Sequence, residues 1–204
     1  MVISIVNLDK SVLESFHISQ AFKIMNKEEC NVLDKFSPEE FRTIRRRMIE
    51  CVLGTDMAFH SKHYATLKAK VDNFEIKNGK NVNKLVSDDV SKTYENQQTI
   101  LSTFLHGADI SNPSKPKLVY DQWVKLLFEE FFNQGDLEKQ QNLPVSLLCD
   151  RSTTNINKAQ VGFINFIVMP FWEIIYNITP EALPYLNNIK TNLKLYEEAI
   201  KNCV

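Results

Sequence analysis

Apolar residues recur at three- and four-residue steps through most of this chain, and period-two alternation is scarce. Such spacing lines up one face of a 3.6-residue helix. Phe41, Ile44, Met48, Val52, Thr55 and Phe59 make one stripe, and Ser37-Pro38-Glu39-Glu40 supplies its start. Serine suits an N-cap, proline the first helical position, and glutamate the reciprocal position of a capping box. A second helix is predicted over about Asp88 to His106, with Val90, Tyr94, Ile100 and Phe104 inward. A third carries Tyr120, Trp123, Leu127 and Phe131 and ends at Gly135-Asp136. A fourth carries Ile156, Gln160, Phe163, Ile164, Ile167 and Phe171. A fifth starts at Thr179-Pro180-Glu181 and carries Leu186, Ile189, Leu193, Tyr196 and Ile200. The stretch 71–86 is rich in Lys and Asn and predicts an exposed loop with no core of its own. These elements predict an all-α, bundle-like single domain over residues 1–204, with no repeat and no internal boundary.

Composition narrows the class without naming a chemistry. The chain has 204 residues, enough for one substantial core, and its 44% hydrophobic and 24% charged content is ordinary for a globular protein. A formal net charge of -1 supplies no global field toward nucleic acid or an anionic membrane. Arg42, Arg45, Arg46 and Arg47 cluster, but Glu39, Glu40 and Glu50 can pair with them at helical spacing, so the patch reads as a solvated face. Cys30, Cys51, Cys149 and Cys203 are widely spaced, as expected of reduced thiols in a cytoplasmic protein. No uninterrupted apolar run approaches the ~20 residues of a membrane span, and Met1 to Asp9 lacks the basic start and cleavage site of a signal peptide.

The run His106-Gly107-Ala108-Asp109-Ile110-Ser111-Asn112-Pro113-Ser114-Lys115-Pro116 stands out chemically. It sets a histidine and an aspartate three residues apart at the end of a helical stretch. A carboxylate so placed suits a hard metal ion. Alone, it reads equally as a cap or a solvated charge. His60 and His63 form an i, i+3 pair that solvent exposure explains as well as a surface metal does.

The surrounding blocks change the odds. Val119 to Trp123, Phe128 to Asp136, Leu148 to Arg151, Lys158 to Ile164 and Pro170 to Glu173 follow in order. Upstream lie Ser11 to Glu14 and Gly54 to Met57. Together with the His106–Pro116 run, these resemble the class I 3′,5′-cyclic nucleotide phosphodiesterases over about Lys10 to Ile200. The resemblance implies the all-α catalytic fold of that family. It also implies hydrolysis of a cyclic nucleotide to the 5′-monophosphate with two divalent metal ions (zinc, and magnesium or manganese), ending a cyclic-nucleotide signal.

Site roles follow from the same resemblance. Asp109 matches the aspartate that binds the tightly held metal. Glu14, His17 and Asp56 match residues lining the metal region, the glutamate acting through metal-bound water. Gln160 matches the glutamine that meets the purine edge, and its amide offers both a donor and an acceptor. Phe163 and Leu127 match an apolar clamp on the two faces of the purine. Met57 matches a residue approaching the substrate, and Asn112 an asparagine common in cAMP-preferring members, which favours cAMP over cGMP. Tyr120, Trp123 and Phe131 read as pocket wall or core. Without the match, Phe163 and Leu127 would be core residues and Gln160 a helix-face polar group.

The family pattern also includes a His-Asn-x-x-His block, with the general-acid histidine, and a His-Asp-x-x-His block; neither occurs in this chain. The resemblance thus implies the C-terminal two-thirds of a catalytic domain, with an incomplete metal site and weak or no hydrolysis in isolation. Uncovered apolar faces would favour self-association. The alternative is a non-hydrolysing relative that binds a purine nucleotide, or that assembles as a homo-oligomer or with a full-length phosphodiesterase.

Overall fold

The computed structural model describes residues 9–78 and 93–202. Among these there is no strand, as the helical spacing predicts. The chain divides into two compact units, Met1–Asp109 and Ile110–Val204.

The first unit contains α1 (Val12–Met25), α2 (Pro38–Leu53), α3 (His60–Asn78) and α4 (Tyr94–Asp109). Helix α2 packs on α1 and α4, and α3 packs on α4. The expected start of α2 is present in full. Ser37 Oγ accepts from the Glu40 N–H at 3.4 Å, and Glu40 Oε2 accepts from the Ser37 N–H at 2.9 Å. Replacing Ser37 with Ala should cost about 1 kcal/mol in urea unfolding at pH 7. An unchanged midpoint would show that this box does not stabilise α2. The helix stops at Leu53, so Thr55 and Phe59 fall outside its stripe, and Phe59 stays exposed.

Three readings of this unit need correction. The loop expected from residue 71 is helical as far as Asn78; residues 79–86 lie outside the described residues. Neither glycine nor proline interrupts 71–78, and Leu67 and Val71, one turn apart, are buried and anchor the helix. Second, the inward face of α4 is polar: Gln98, Ser102, Thr103 and His106 are buried with Ile100, while Phe104 is exposed. Gln98 Nε2 donates to the Arg47 carbonyl at 3.3 Å and to Ser102 Oγ at 3.2 Å, which offsets the burial of its nitrogen, while its Oε1 is buried without a hydrogen-bond partner. The expected residue Val90 lies outside the described residues. Third, the arginine patch is not simply solvated. Arg46 and Arg47 stack over Tyr94 at 4.5 and 4.4 Å, Arg45 lies over Phe22 at 4.7 Å, and Arg46 pairs with Glu50 at 2.8 Å.

The second unit contains α5 (Lys117–Gln140), α6 (Ile156–Phe163), a π turn (Ile164–Val168), α7 (Met169–Ile178) and α8 (Leu183–Asn202). Helix α8 packs against α6 and α7. Tyr120, Phe128, Ile164, Val168, Phe171, Leu186 and Ile189 build the core. The stretch Ile156–Ile178 is 23 residues long and, by length and composition, apolar enough to cross a membrane. The sequence reading missed it because Asn165 and Glu173 interrupt the apolar runs. Its buried residues Phe171, Ile174, Ile175 and Ile178 belong to the core of this unit.

The α5 stripe is rotated from the expected one. Tyr120, Val124, Phe128, Phe132 and Gly135 face inward, whereas Trp123 is 55% exposed and Leu127 39%. Gly135 does not end the helix, which continues to Gln140. The glycine serves a close approach instead: a Cβ there would lie 2.0 Å from the Cys149 carbonyl oxygen. Lys139–Asp150 at 2.9 Å and Arg151–Asp136 at 3.1 Å tie the 142–151 loop across α5. The π turn arises next to Pro170, which has no N–H to give. The Met169 N–H bonds back five residues to the Ile164 carbonyl.

Candidate functional site

In the second unit the structure joins two of the expected site residues. Tyr120, fully buried on α5, donates its hydroxyl proton to Gln160 Oε1 on α6, and Gln160 is itself 5% exposed. Burial, with Tyr196 and Asp121 adding to it, pushes the Tyr120 phenol well above its usual range, so it remains a donor at any working pH. Held by one side of its oxygen, the Gln160 amide keeps an oxygen lone pair and its nitrogen donors for another partner. Asn155 caps α6 by accepting from the Lys158 N–H at 3.0 Å, which fixes the turn leading to Gln160.

Further along the same two helices, apolar side chains keep access to solvent. Phe163 lies one turn beyond Gln160 and is half-buried. Leu127 is two turns along α5 from Tyr120, with Phe131 half-buried one turn further. Asn112 opens the short 3₁₀ turn Asn112–Ser114, and its Oδ1 is buried with no hydrogen-bond partner. A buried carbonyl oxygen left unpaired costs about 1–3 kcal/mol.

In the first unit, Asp109 closes α4. Desolvation raises its carboxyl pKa, and the nearby His17 charge opposes that shift. Glu14 is half-buried on α1, His17 exposed, and Met57 45% exposed. Asp56 accepts from Ser11 Oγ at 2.8 Å and from the Ala58 N–H at 2.8 Å, acting as a local cap. His60 and His63, read from the sequence as solvated, pack instead around His106. His60 Nδ1 lies 2.8 Å from His106 Nε2, and the His63 ring centroid is 6.1 Å from that of His106. Burial, with the neighbouring His60 and His63 adding to it, holds His106 down at about 4. Its role as a buried partner was legible only as the histidine of the His106–Asp109 run.

Among the described residues, no group of three or more His, Cys, Asp and Glu side chains is arranged to hold a metal ion. Structural or catalytic zinc takes at least three protein ligands, so Asp109 and its neighbours do not complete a site. Cys30, Cys51 and Cys149 are free thiols.

Residues 3–189 match the family model described as 3′5′-cyclic nucleotide phosphodiesterase. The chain is 37% identical to 3′,5′-cyclic-AMP phosphodiesterase isoform F of Drosophila melanogaster, over 94% of this chain and 28% of that protein. It is 35% identical to 3′,5′-cyclic-AMP phosphodiesterase 4C of Rattus norvegicus, over 94% of this chain and 35% of that protein. It therefore spans about a third or less of these relatives. The phosphodiesterase domain of the RhoPDE fusion protein from the choanoflagellate Salpingoeca rosetta superposes with a TM-score of 0.85 at 30% identity, covering 98% of this chain and 60% of that one. LmjPDEB1 in complex with IBMX gives 0.82 at 25%, covering 98% and 56%. Family membership implies dependence on divalent metal ions, for which the described residues supply too few ligands. With its fold and nearly its whole length matched, the chain belongs to the 3′,5′-cyclic nucleotide phosphodiesterase family.

Proposed function

We propose that this chain is the purine-binding part of a phosphodiesterase catalytic domain whose substrate is cAMP in preference to cGMP. In the intact domain a water oxygen bonds to phosphorus, the bond to the 3′ oxygen breaks, and that oxygen takes up a proton, giving the 5′-monophosphate. The contribution of this chain is to hold the base. Gln160, fixed by Tyr120, offers a paired donor and acceptor to the purine edge. Phe163 and Leu127 supply the apolar faces of the clamp.

The unpartnered Asn112 Oδ1 carries the adenine preference. An acceptor matches the adenine amino group, whereas guanine presents a carbonyl oxygen at the same ring position and would leave two acceptors opposed. In calorimetric titration, cAMP should bind more tightly than cGMP, and Gln160→Ala should abolish binding of both. Binding that survives Gln160→Ala intact would overturn the pocket assignment.

The absence of a three-ligand cluster among the described residues favours a second reading, a chain that binds a purine nucleotide without hydrolysing it. Turnover assays of the 204-residue chain with magnesium, manganese and zinc separate the two. Robust turnover would contradict the second reading.

A further inference from the structure

We infer that Asn188, Asn192 and Tyr196 of α8 form a positioning stripe that sets the purine specificity of the site. The inference rests on the reading above, in which Asn112 and Gln160 meet the purine edge. The three residues are spaced i, i+4, i+8, so they lie along one face of α8. Asn188 Nδ2 donates to the Ser114 carbonyl at 2.9 Å. Asn192, 1% exposed, donates through Nδ2 to both the Pro113 carbonyl at 2.9 Å and the Lys115 carbonyl at 2.8 Å. Three successive carbonyls of the turn that starts at Asn112 are thus held by two side-chain amides.

The third member reaches the other half of the site. The Tyr196 ring meets Tyr120 edge-on, with centroids 5.4 Å apart at 65°. Its hydroxyl donates to Asp121 Oδ1 at 2.8 Å, and the Lys117 ammonium sits 4.7 Å over the ring while also pairing with Asp121. Tyr120 in turn holds Gln160. One helix face therefore fixes both the turn bearing Asn112 and the tyrosine that orients Gln160.

Two features argue for a role in positioning rather than in stability alone. The amides hold consecutive carbonyls of a single short turn, where one bond would anchor it. That turn also carries a buried acceptor left without a partner, Asn112 Oδ1. A backbone shift of a few tenths of an ångström in this turn would move that acceptor from a position matched to an amino group.

The test compares cAMP and cGMP binding by titration calorimetry for the full 204-residue chain and its Asn188→Asp, Asn188→Gln and Asn192→Asp variants. Aspartate keeps the shape but cannot donate, and it repels the carbonyls it faces. Asn188 is half-buried, so Asn188→Asp should fold even where Asn192→Asp does not. Losing one donor should cut the cAMP-to-cGMP affinity ratio by about tenfold, with cGMP affinity little changed. Asn188→Gln, which keeps an amide donor, should restore the ratio.

Equal weakening of both nucleotides, or an unchanged ratio in Asn188→Asp, would overturn the positioning role while Gln160-dependent binding left the pocket reading intact. Loss of nucleotide binding in the wild-type chain would overturn both. A second readout needs no ligand: the Asn112 side-chain amide resonances in the NMR spectrum should shift or broaden in Asn188→Asp. Unchanged resonances would also overturn the inference.

Discussion

Gly135→Ala should destabilise the second unit by about 3 kcal/mol or more, although alanine is the better helix former by about 1 kcal/mol. The reason is steric. The added methyl would sit 2.0 Å from the Cys149 carbonyl oxygen and 2.7 Å from its carbonyl carbon. Both are backbone atoms, so no side-chain rotation relieves the clash. Either α5 or the 142–151 loop must move, and moving the loop breaks the Lys139–Asp150 and Arg151–Asp136 pairs that tie it down. Urea unfolding followed by tryptophan fluorescence reports on this unit, because Trp123 and Trp172 both lie in it. A Gly135→Ala variant as stable as the parent would show that the loop does not run against the helix.

The first unit should lose about 3 kcal/mol of stability between pH 6.5 and pH 4. His106 titrates near 6.5 when unfolded and is held at about 4 in the folded chain by burial and by its histidine neighbours. As pH falls through this window the unfolded chain takes up a proton that the folded chain refuses, so the equilibrium moves toward unfolding. The stability is fully present above pH 6.5. His60 and His63 are also lowered, chiefly by burial, and act with the same sign.

Asp109 acts with the opposite sign. Its pKa is raised by burial, so its contribution is lost as pH rises through that value and partly offsets the histidines at the acid end. Glu40, Glu138 and Asp150 are lowered, chiefly by the hydrogen bonds they accept, Asp150 from Lys139 first, so what they contribute is lost as pH falls, with the same sign as the histidines. Amide hydrogen exchange of α4 at pH 7 and at pH 5, corrected for the intrinsic rate, measures the loss. Equal protection at both values would mean that the imidazoles are not desolvated in solution.

How far the sequence led differs between local and tertiary features. The Ser37–Glu40 box was legible because all its partners lie within four residues. The apolar stripes were legible as helices, but not their rotation. Residues 120, 123, 127 and 131 fit a helix face as well as 120, 124, 128 and 132 do, and only the packing against α5 selects the second set. Gly135 was misread because a glycine that ends a helix and one that admits a neighbouring backbone look alike in sequence. The polar interior of α4 was invisible because Arg47, whose carbonyl accepts from Gln98, lies 51 residues away.

At the candidate site, Tyr120, Gln160 and Asn112 were each nameable from resemblance, yet the bond between the first two spans forty residues and required coordinates. Asn188 and Asn192 were missed altogether. The available signal was two amides at helical spacing beside Leu186 and Ile189, in positions where an amphipathic helix would carry apolar residues.

The π turn at Ile164–Val168 gives the helix of the second unit one place where its length can change. Such a turn is in effect one surplus residue carried within a helix. Because the wide turn absorbs that residue, deleting an exposed one of its five would let α6 run into α7 as regular helix with everything beyond kept on the same face. Phe171, Ile174, Ile175 and Ile178 would then keep the core they fill, whereas the same deletion within the regular turns of α7 upstream of them would rotate them away by about 100°. Substitution is cheap at a residue such as Phe166, 80% exposed in the middle of the turn. Removal of the same residue should also cost less than removal of one from the regular turns on either side, so this stretch is where the helix best tolerates a change of length.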